Sequence, residues 1–196
     1  MTDLTLAPTQ AMDAQRRRWI AATAVTGGAG LAATAVPFIA SFAPSERARA
    51  LGAPVEVQLQ GLRPGELNTV EWRGKPVFVL RRSHEMLESL IQNDALLLDP
   101  HSKRGNEPEY ARNALRSVKP EVLVLVGICT HLGCIPTFRP TPATSDLGAS
   151  WPGGFYCPCH GSKFDLAGRV FRNVPAPTNL EVPPYRFTDE TTLLIG

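Results

Sequence analysis

The chain has 196 residues, enough for one good-sized domain or for a small domain plus a tail. Its net charge of +2 is small and its basic residues are scattered, which argues against nucleic-acid binding. Eighteen prolines and sixteen glycines, with 43% hydrophobic residues, favour turns and short strands over long helices.

The exception to the scatter is a basic run at Arg16, Arg17 and Arg18. Residues 1–18 read as a cytoplasmic tail with a twin-arginine motif, since Arg-Arg-Arg-Trp-Ile fits that export pattern. Residues 19–43 carry no charge. As a helix they span about 37 Å, enough for a hydrocarbon core of about 30 Å. The segment is rich in Ala, Gly and Thr, and Pro37 can kink it. Two readings compete. One is a cleaved signal, with Ser41-Phe42-Ala43 or Ala48-Arg49-Ala50 as the cleavage site. The other, the one expected of this chain, is an uncleaved anchor with Trp19 at the membrane interface. The arginine run then stays cytoplasmic, although Arg47 and Arg49 on the far side weaken the charge asymmetry.

Residues 44–54 read as a hinge or tether, reaching roughly 36 Å when extended. From residue 55 to residue 196 the texture is mostly β. Val55, Val57 and Leu59 alternate with Glu56, Gln58 and Gln60, as in a half-buried strand. Val70–Trp72 and Val77–Leu80 flank Arg73-Gly74-Lys75-Pro76, a predicted hairpin. Ser83 caps a predicted helix through Asn93, with Met86, Leu87, Leu90 and Ile91 on one face. Residues 99–117 read as a polar surface loop. Val122–Ile128 is a continuous apolar run, hence a buried strand that ends at Cys129. Short strands are predicted at Val182–Phe187 and Leu193–Ile195. His84 and His101 read as surface residues, Trp72 and Trp151 as packing residues, and Arg81 and Arg82 as a solvated strand end.

All four cysteines and two of the four histidines lie in two boxes, CTHLGC at 129–134 and CPCHGS at 157–162. Three chemistries compete. Two disulfides are possible in an oxidising compartment, but they leave the histidines without a role. Zinc takes one Cys and one His from each box, although neither box has the usual knuckle spacing. The third is a 2Fe-2S cluster with two cysteines on one iron and two histidines on the other. Neutral imidazoles in place of anionic thiolates ease addition of an electron, and such clusters span about −150 to +300 mV.

The two boxes resemble those of the Rieske iron–sulfur proteins, specifically the Rieske subunit of the quinol-oxidising cytochrome bc complex. The similarity extends over the arginine-led anchor, the tether, the E-W-R-G-K-P-V hairpin and Pro175-Ala176-Pro177. It implies an antiparallel β domain with a small cluster-binding subdomain at about 128–178, and one 2Fe-2S cluster. It implies further that Cys129 and Cys157 bind the inner iron, His131 and His160 the outer iron, and that Cys134 and Cys159 form a disulfide joining the loops. Ser162 matches a serine that bonds a bridging sulfide. Gly133 and Gly161 supply tight turns, and Pro175 and Pro177 belong to a rigid third loop. Val174 stands where a glycine is common, and Phe164 where a tyrosine is common. That second departure implies one hydrogen bond fewer to the cluster.

By the same resemblance His160 is the quinol contact, with His131 beside it and Leu132 packing at the tip. The implied partners are ubiquinol, cytochrome b and a c-type cytochrome in a dimeric membrane complex, with the head in the periplasm of a bacterium. Two rivals remain: the small subunit of another exported oxidoreductase such as arsenite oxidase, and a non-redox zinc or disulfide adaptor.

Overall fold

The computed structural model describes residues 9–46, 52–105 and 107–196. It divides into two compact units, Met1–Arg49 and Ala50–Gly196.

The first unit is built on helix α1, Thr9–Ala40. The helix starts before the expected anchor and carries Arg16–Arg18 on the same continuous backbone. Its stretch Asp13–Ala40 is long and apolar enough to cross a membrane. The threonine hydroxyls of its uncharged stretch, Thr23, Thr26 and Thr34, bond back to the helix's own carbonyls, as an apolar surround requires. Thr26 Oγ1 donates to the Ala22 carbonyl at 2.8 Å, and Thr34 Oγ1 to the Leu31 carbonyl at 2.9 Å. Pro37 lies in the last turn of the helix. Within the expected tether, residues 47–51 lie outside the described residues, as do residues 1–8 of the expected tail and one of the two possible cleavage sites.

The second unit is mostly antiparallel β, as expected. Its strands are β1 (Val55–Gln58), β2 (Leu67–Trp72), β3 (Lys75–Arg81), β4 (Val122–Val126), β5 (Thr137–Arg139), β6 (Gly154–Cys157), β7 (Ser162–Phe164), β8 (Tyr185–Phe187) and β9 (Thr192–Ile195). They form three sheets, ordered β1-β9-β8, β2-β3-β4 and β5-β6-β7. The β2–β3 hairpin turns through Arg73 and Gly74, both at positive φ (53° and 71°), matching the twist of the strands. The Arg73 guanidinium lies 4.5 Å over the Trp72 ring. β4 is buried at every position, which explains its unbroken apolar run. The Phe78 ring stacks on Phe155 at 5.6 Å and so joins the β2-β3-β4 and β5-β6-β7 sheets. It passes so near Gly127 that a Cβ there would lie 2.5 Å from the ring, so the chain leaving β4 toward Cys129 needs glycine.

Helix α2 runs His84–Ile91, and Ser83 Oγ accepts from the Met86 N–H at 3.4 Å. It stops short of Asn93, which is buried beside a 3-10 turn at Asp94–Leu96. Leu90 faces the core, but Ile91 is 79% exposed rather than sharing that face. His84 and His101 are exposed, and Trp72 and Trp151 are buried packing residues.

Two expectations fail. The stretch 99–117 is not simply a surface loop: Asp99, Ser102, Glu107, Ala111, Arg116 and Ser117 are buried. Nor is Arg82 solvated, with 2% of its surface exposed. Its guanidinium donates to the carbonyls of Pro120 (2.8 Å) and Leu115 (2.9 Å) and to Ser117 Oγ (2.7 Å). The end of the stretch turns inward, where the Leu115 carbonyl and the Ser117 hydroxyl, with the Pro120 carbonyl beyond it, satisfy this buried cation. Burial still disfavours the charge and pulls the Arg82 pKa down to about 10.

Candidate metal centre

β4 leads through Gly127 and Ile128 into the first box, and β6 ends at Cys157, where the second begins. The two boxes close in the same way. The Gly133 N–H donates to the Cys129 carbonyl at 3.0 Å, and the Gly161 N–H to the Cys157 carbonyl at 3.0 Å. Both glycines hold positive φ, 84° and 78°, which side-chain-bearing residues rarely adopt. Each box is therefore a tight turn that starts from a buried cysteine and projects its histidine outward.

The four cysteines separate into two kinds. Cys134 and Cys159 form a disulfide across a sequence separation of 25, as the resemblance implied. Cys129 and Cys157 are free thiols, each 2% exposed. Burial pushes the Cys157 thiol up, and the adjacent Cys129 thiol adds to the effect. Two thiolates held side by side in so buried a place call for a cation between them. The His131 and His160 rings lie beside one another, with centroids 4.8 Å apart and planes at 89°. His131 is half-buried, and His160 is exposed. Two buried sulfur donors under two outward imidazoles suit a two-metal cluster of mixed ligation, with the sulfur end inside.

A third segment ties into the boxes. Ser162 is fully buried, and its Oγ accepts from the Ala176 N–H at 3.1 Å, between Pro175 and Pro177. The Ser162 hydroxyl proton stays available for another acceptor. Thr130 Oγ1 donates to the Thr178 carbonyl at 2.7 Å, joining the first box to the same segment. Phe164 is fully buried, and Val174 packs against the core. Leu132 is 72% exposed, and so, just past the first box, is much of Ile135, an apolar side chain that sequence reasoning did not single out.

Sequence reasoning also missed a buried polar brace on the segment leaving β7. Asp165 accepts the Ala167 and Arg169 N–H groups and pairs with Arg169 Nε at 2.8 Å. Arg169 reaches on to Asp94 and to the Pro100 and Leu90 carbonyls. Arg116, wholly buried, pairs with Glu107 at 2.7 Å and donates to the carbonyls of Ala167, Gly168 and Leu180.

An antiparallel β head whose two Cys/His turns are stapled by a disulfide defines a Rieske-type protein. The family model of the Rieske [2Fe-2S] domain matches residues 54–185. The ubiquinol-cytochrome c reductase iron–sulfur subunit of Allochromatium vinosum is 57% identical over 182 residues, covering 93% of this chain and 88% of that one. The subunit of the same description from Blastochloris viridis is 42% identical over 195 residues, covering 97% and 98%. A chain of a hyperthermophilic respiratory Complex III aligns with a TM-score of 0.48 at 28% identity, over 89% of this chain and 97% of that one. This chain belongs to the Rieske family and, within it, to the ubiquinol-cytochrome c reductase iron–sulfur subunits. Its cofactor is a 2Fe-2S cluster, and its role is that of an electron-transferring oxidoreductase subunit. The zinc and disulfide-only readings fall away.

Proposed function

We propose that the chain oxidises ubiquinol in a cytochrome bc complex and delivers the electron to a membrane c-type cytochrome, releasing protons through its two box histidines. The observation that carries this reading is the polarity of the centre: thiols buried, imidazoles outward, and an exposed leucine beside them. In this reading Cys129 and Cys157 hold the inner iron, and His131 and His160 the outer iron. When bound, the cluster supplies a one-electron acceptor whose potential imidazole ligation has raised.

The remaining chemistry falls to the chain. His160, the more exposed of the two rings, accepts the quinol hydroxyl's hydrogen bond and takes its proton. His131 offers a second such nitrogen. Leu132 packs against the quinol ring. Gly133 and Gly161 hold the turns, Ser162 donates to cluster sulfur, and Pro175 and Pro177 stiffen the covering segment. Residues 19–43 anchor the chain with residues 1–18 in the cytoplasm and residues 55–196 in the periplasm. Residues 44–54 let the head move between cytochrome b, where quinol binds, and the c-type cytochrome, in a dimeric complex. Stiffening residues 44–53 slows turnover and leaves the cluster spectrum unchanged.

The test is quinol-dependent cytochrome c reduction by membranes lacking this chain. Activity is lost, returns with the full chain, and does not return with His160→Ala. Retention of activity in the deletion refutes the reading, and loss of arsenite oxidation instead points to the other exported oxidoreductase. Electron paramagnetic resonance of the reduced chain reports cluster loading independently. Proton coupling requires a midpoint potential that falls as pH rises into the alkaline range, and a flat potential refutes it.

A further inference from the structure

We propose that, once iron is lost, Cys157 attacks the neighbouring Cys134–Cys159 disulfide and re-pairs it, so that cluster loss seals the site against reloading. The inference rests on the assignment of Cys157 as an iron ligand, which is what restrains that sulfur in the loaded chain. Its geometric basis is the sulfur cluster itself. The Sγ atoms of Cys134, Cys157 and Cys159 all lie within 4.8 Å of one another. Cys157 is a free thiol, so one step of thiol–disulfide exchange needs only a small side-chain movement.

The exchange is internally balanced. Cys157 gives up its proton, and its sulfur attacks Cys134 Sγ. The Cys134–Cys157 bond forms, the Cys134–Cys159 bond breaks, and Cys159 leaves as a thiolate that takes up a proton. No electron is gained or lost overall, so no oxidant is required.

Two features select this product over the alternative. Attack on Cys159 Sγ would close a Cys-Pro-Cys ring across Pro158, whose fixed φ restricts so short a link. Attack on Cys134 expels Cys159, which is exposed and leaves into water, whereas Cys134 is only half-exposed. The product still joins the two boxes, so the head keeps its staple. Cys157 is no longer available to iron, and Cys159, turned outward, does not replace it. A chain that loses its cluster after the disulfide has formed is thus locked out. Loading before disulfide formation avoids the trap.

The test maps thiols by mass rather than activity. The full-length chain in detergent is stripped of iron anaerobically with a chelator, denatured and alkylated, and tandem mass spectrometry locates the label. The loaded chain, denatured directly, carries label on Cys129 and Cys157. The stripped chain carries it on Cys129 and Cys159, with Cys134 linked to Cys157. Reloading with iron and sulfide, followed by visible absorbance, recovers the cluster several-fold better after prior reduction with dithiothreitol. Label remaining on Cys157 after stripping overturns the inference, as does a chain without free thiols in which Cys129 is linked to Cys157. Equal reloading without reductant overturns it too. The Cys157→Ser variant keeps the Cys134–Cys159 pairing throughout. If the loaded, native chain already shows the exchanged pairing, the ligand assignment of Cys157 fails and the inference with it; label on Cys157 in both the loaded and the stripped chain overturns the inference alone.

Discussion

Replacing both Cys134 and Cys159 with alanine opens a loop closed across a separation of 25 residues. The chain-entropy relation gives such a closure about 3.5 kcal/mol at 25 °C, through restriction of the unfolded ensemble. For a domain of this size each kcal/mol moves the thermal midpoint by about 2–4 °C, so the double variant melts about 7–14 °C lower. The assay is thermal unfolding of the loaded full-length chain in detergent, followed by far-ultraviolet circular dichroism and by cluster absorbance. At low temperature the cluster spectrum is unchanged, because neither sulfur is a ligand in the proposed assignment. Dithiothreitol on the parent chain reproduces the same midpoint, since it removes the same constraint. A shift below about 3 °C refutes the entropic reasoning. Loss of the cluster spectrum already at low temperature refutes the division of the four cysteines into ligands and staple.

Phe164→Tyr raises the midpoint potential, because a buried hydroxyl beside the second box adds a donor to the ligand sulfur; a redox titration that shows no rise rejects it. Tyr185 is buried, and burial raises its phenol from the usual value near 10 to about 12. The folded chain therefore holds that proton longer than the unfolded chain, and the associated stability is intact below pH 10 and lost as pH rises from about 10 to 12. Unfolding midpoints should fall across that window. Tyr185→Phe flattens the fall, at the cost at lower pH of the hydrogen bond that the phenol oxygen accepts from the Val118 N–H. Arg169→Met leaves Asp165 as an uncompensated buried charge and costs about 3–5 kcal/mol by denaturant titration. Adding Asp165→Asn recovers part of that loss, whereas simple additivity of the two changes contradicts a coupled pair.

Much of the fold and most of the proposed site were legible because they depend on local rules. Val122–Val126 is apolar at every position since it is buried at every position, and Arg73-Gly74 can turn a two-residue hairpin because both residues take positive φ. The boxes are legible because their donors are close in sequence, and the resemblance carried the pairing of Cys134 with Cys159. What stayed hidden depends on distant partners. Arg116 and Leu180 look unrelated along the chain, yet the guanidinium donates to that carbonyl. Arg82 follows a strand and reads as solvated until the carbonyls of Leu115 and Pro120 close around it. Ile91 misled for the opposite reason: its spacing matches the apolar face of α2, but the helix ends there and the side chain stays in solvent.

The hidden network answers a physical difficulty that the boxes create. Both boxes are glycine-bearing turns, and the covering segment is proline-bounded; their apolar burial is confined to Cys129, Cys157, Ala176 and the partly buried Cys134 and Val174. Their positions depend instead on polar contacts made beneath them. Arg169 and Asp165 fix the chain just past the second box, and Arg116 grips Ala167, Gly168 and Leu180, which flank that box and the covering segment. A carbonyl accepting from a buried guanidinium is costly to move, because movement leaves the charge unsatisfied. An apolar core of equal volume would tolerate sliding between rotamers, whereas this one requires each carbonyl to stay in place. The brace therefore specifies position more than it adds stability, and position is what a centre with donors from two separate turns needs. Arg116→Met tests this reading: it broadens the cluster's electron paramagnetic resonance lines even at temperatures where circular dichroism shows the head fully folded. Unchanged lines would show that the boxes hold themselves.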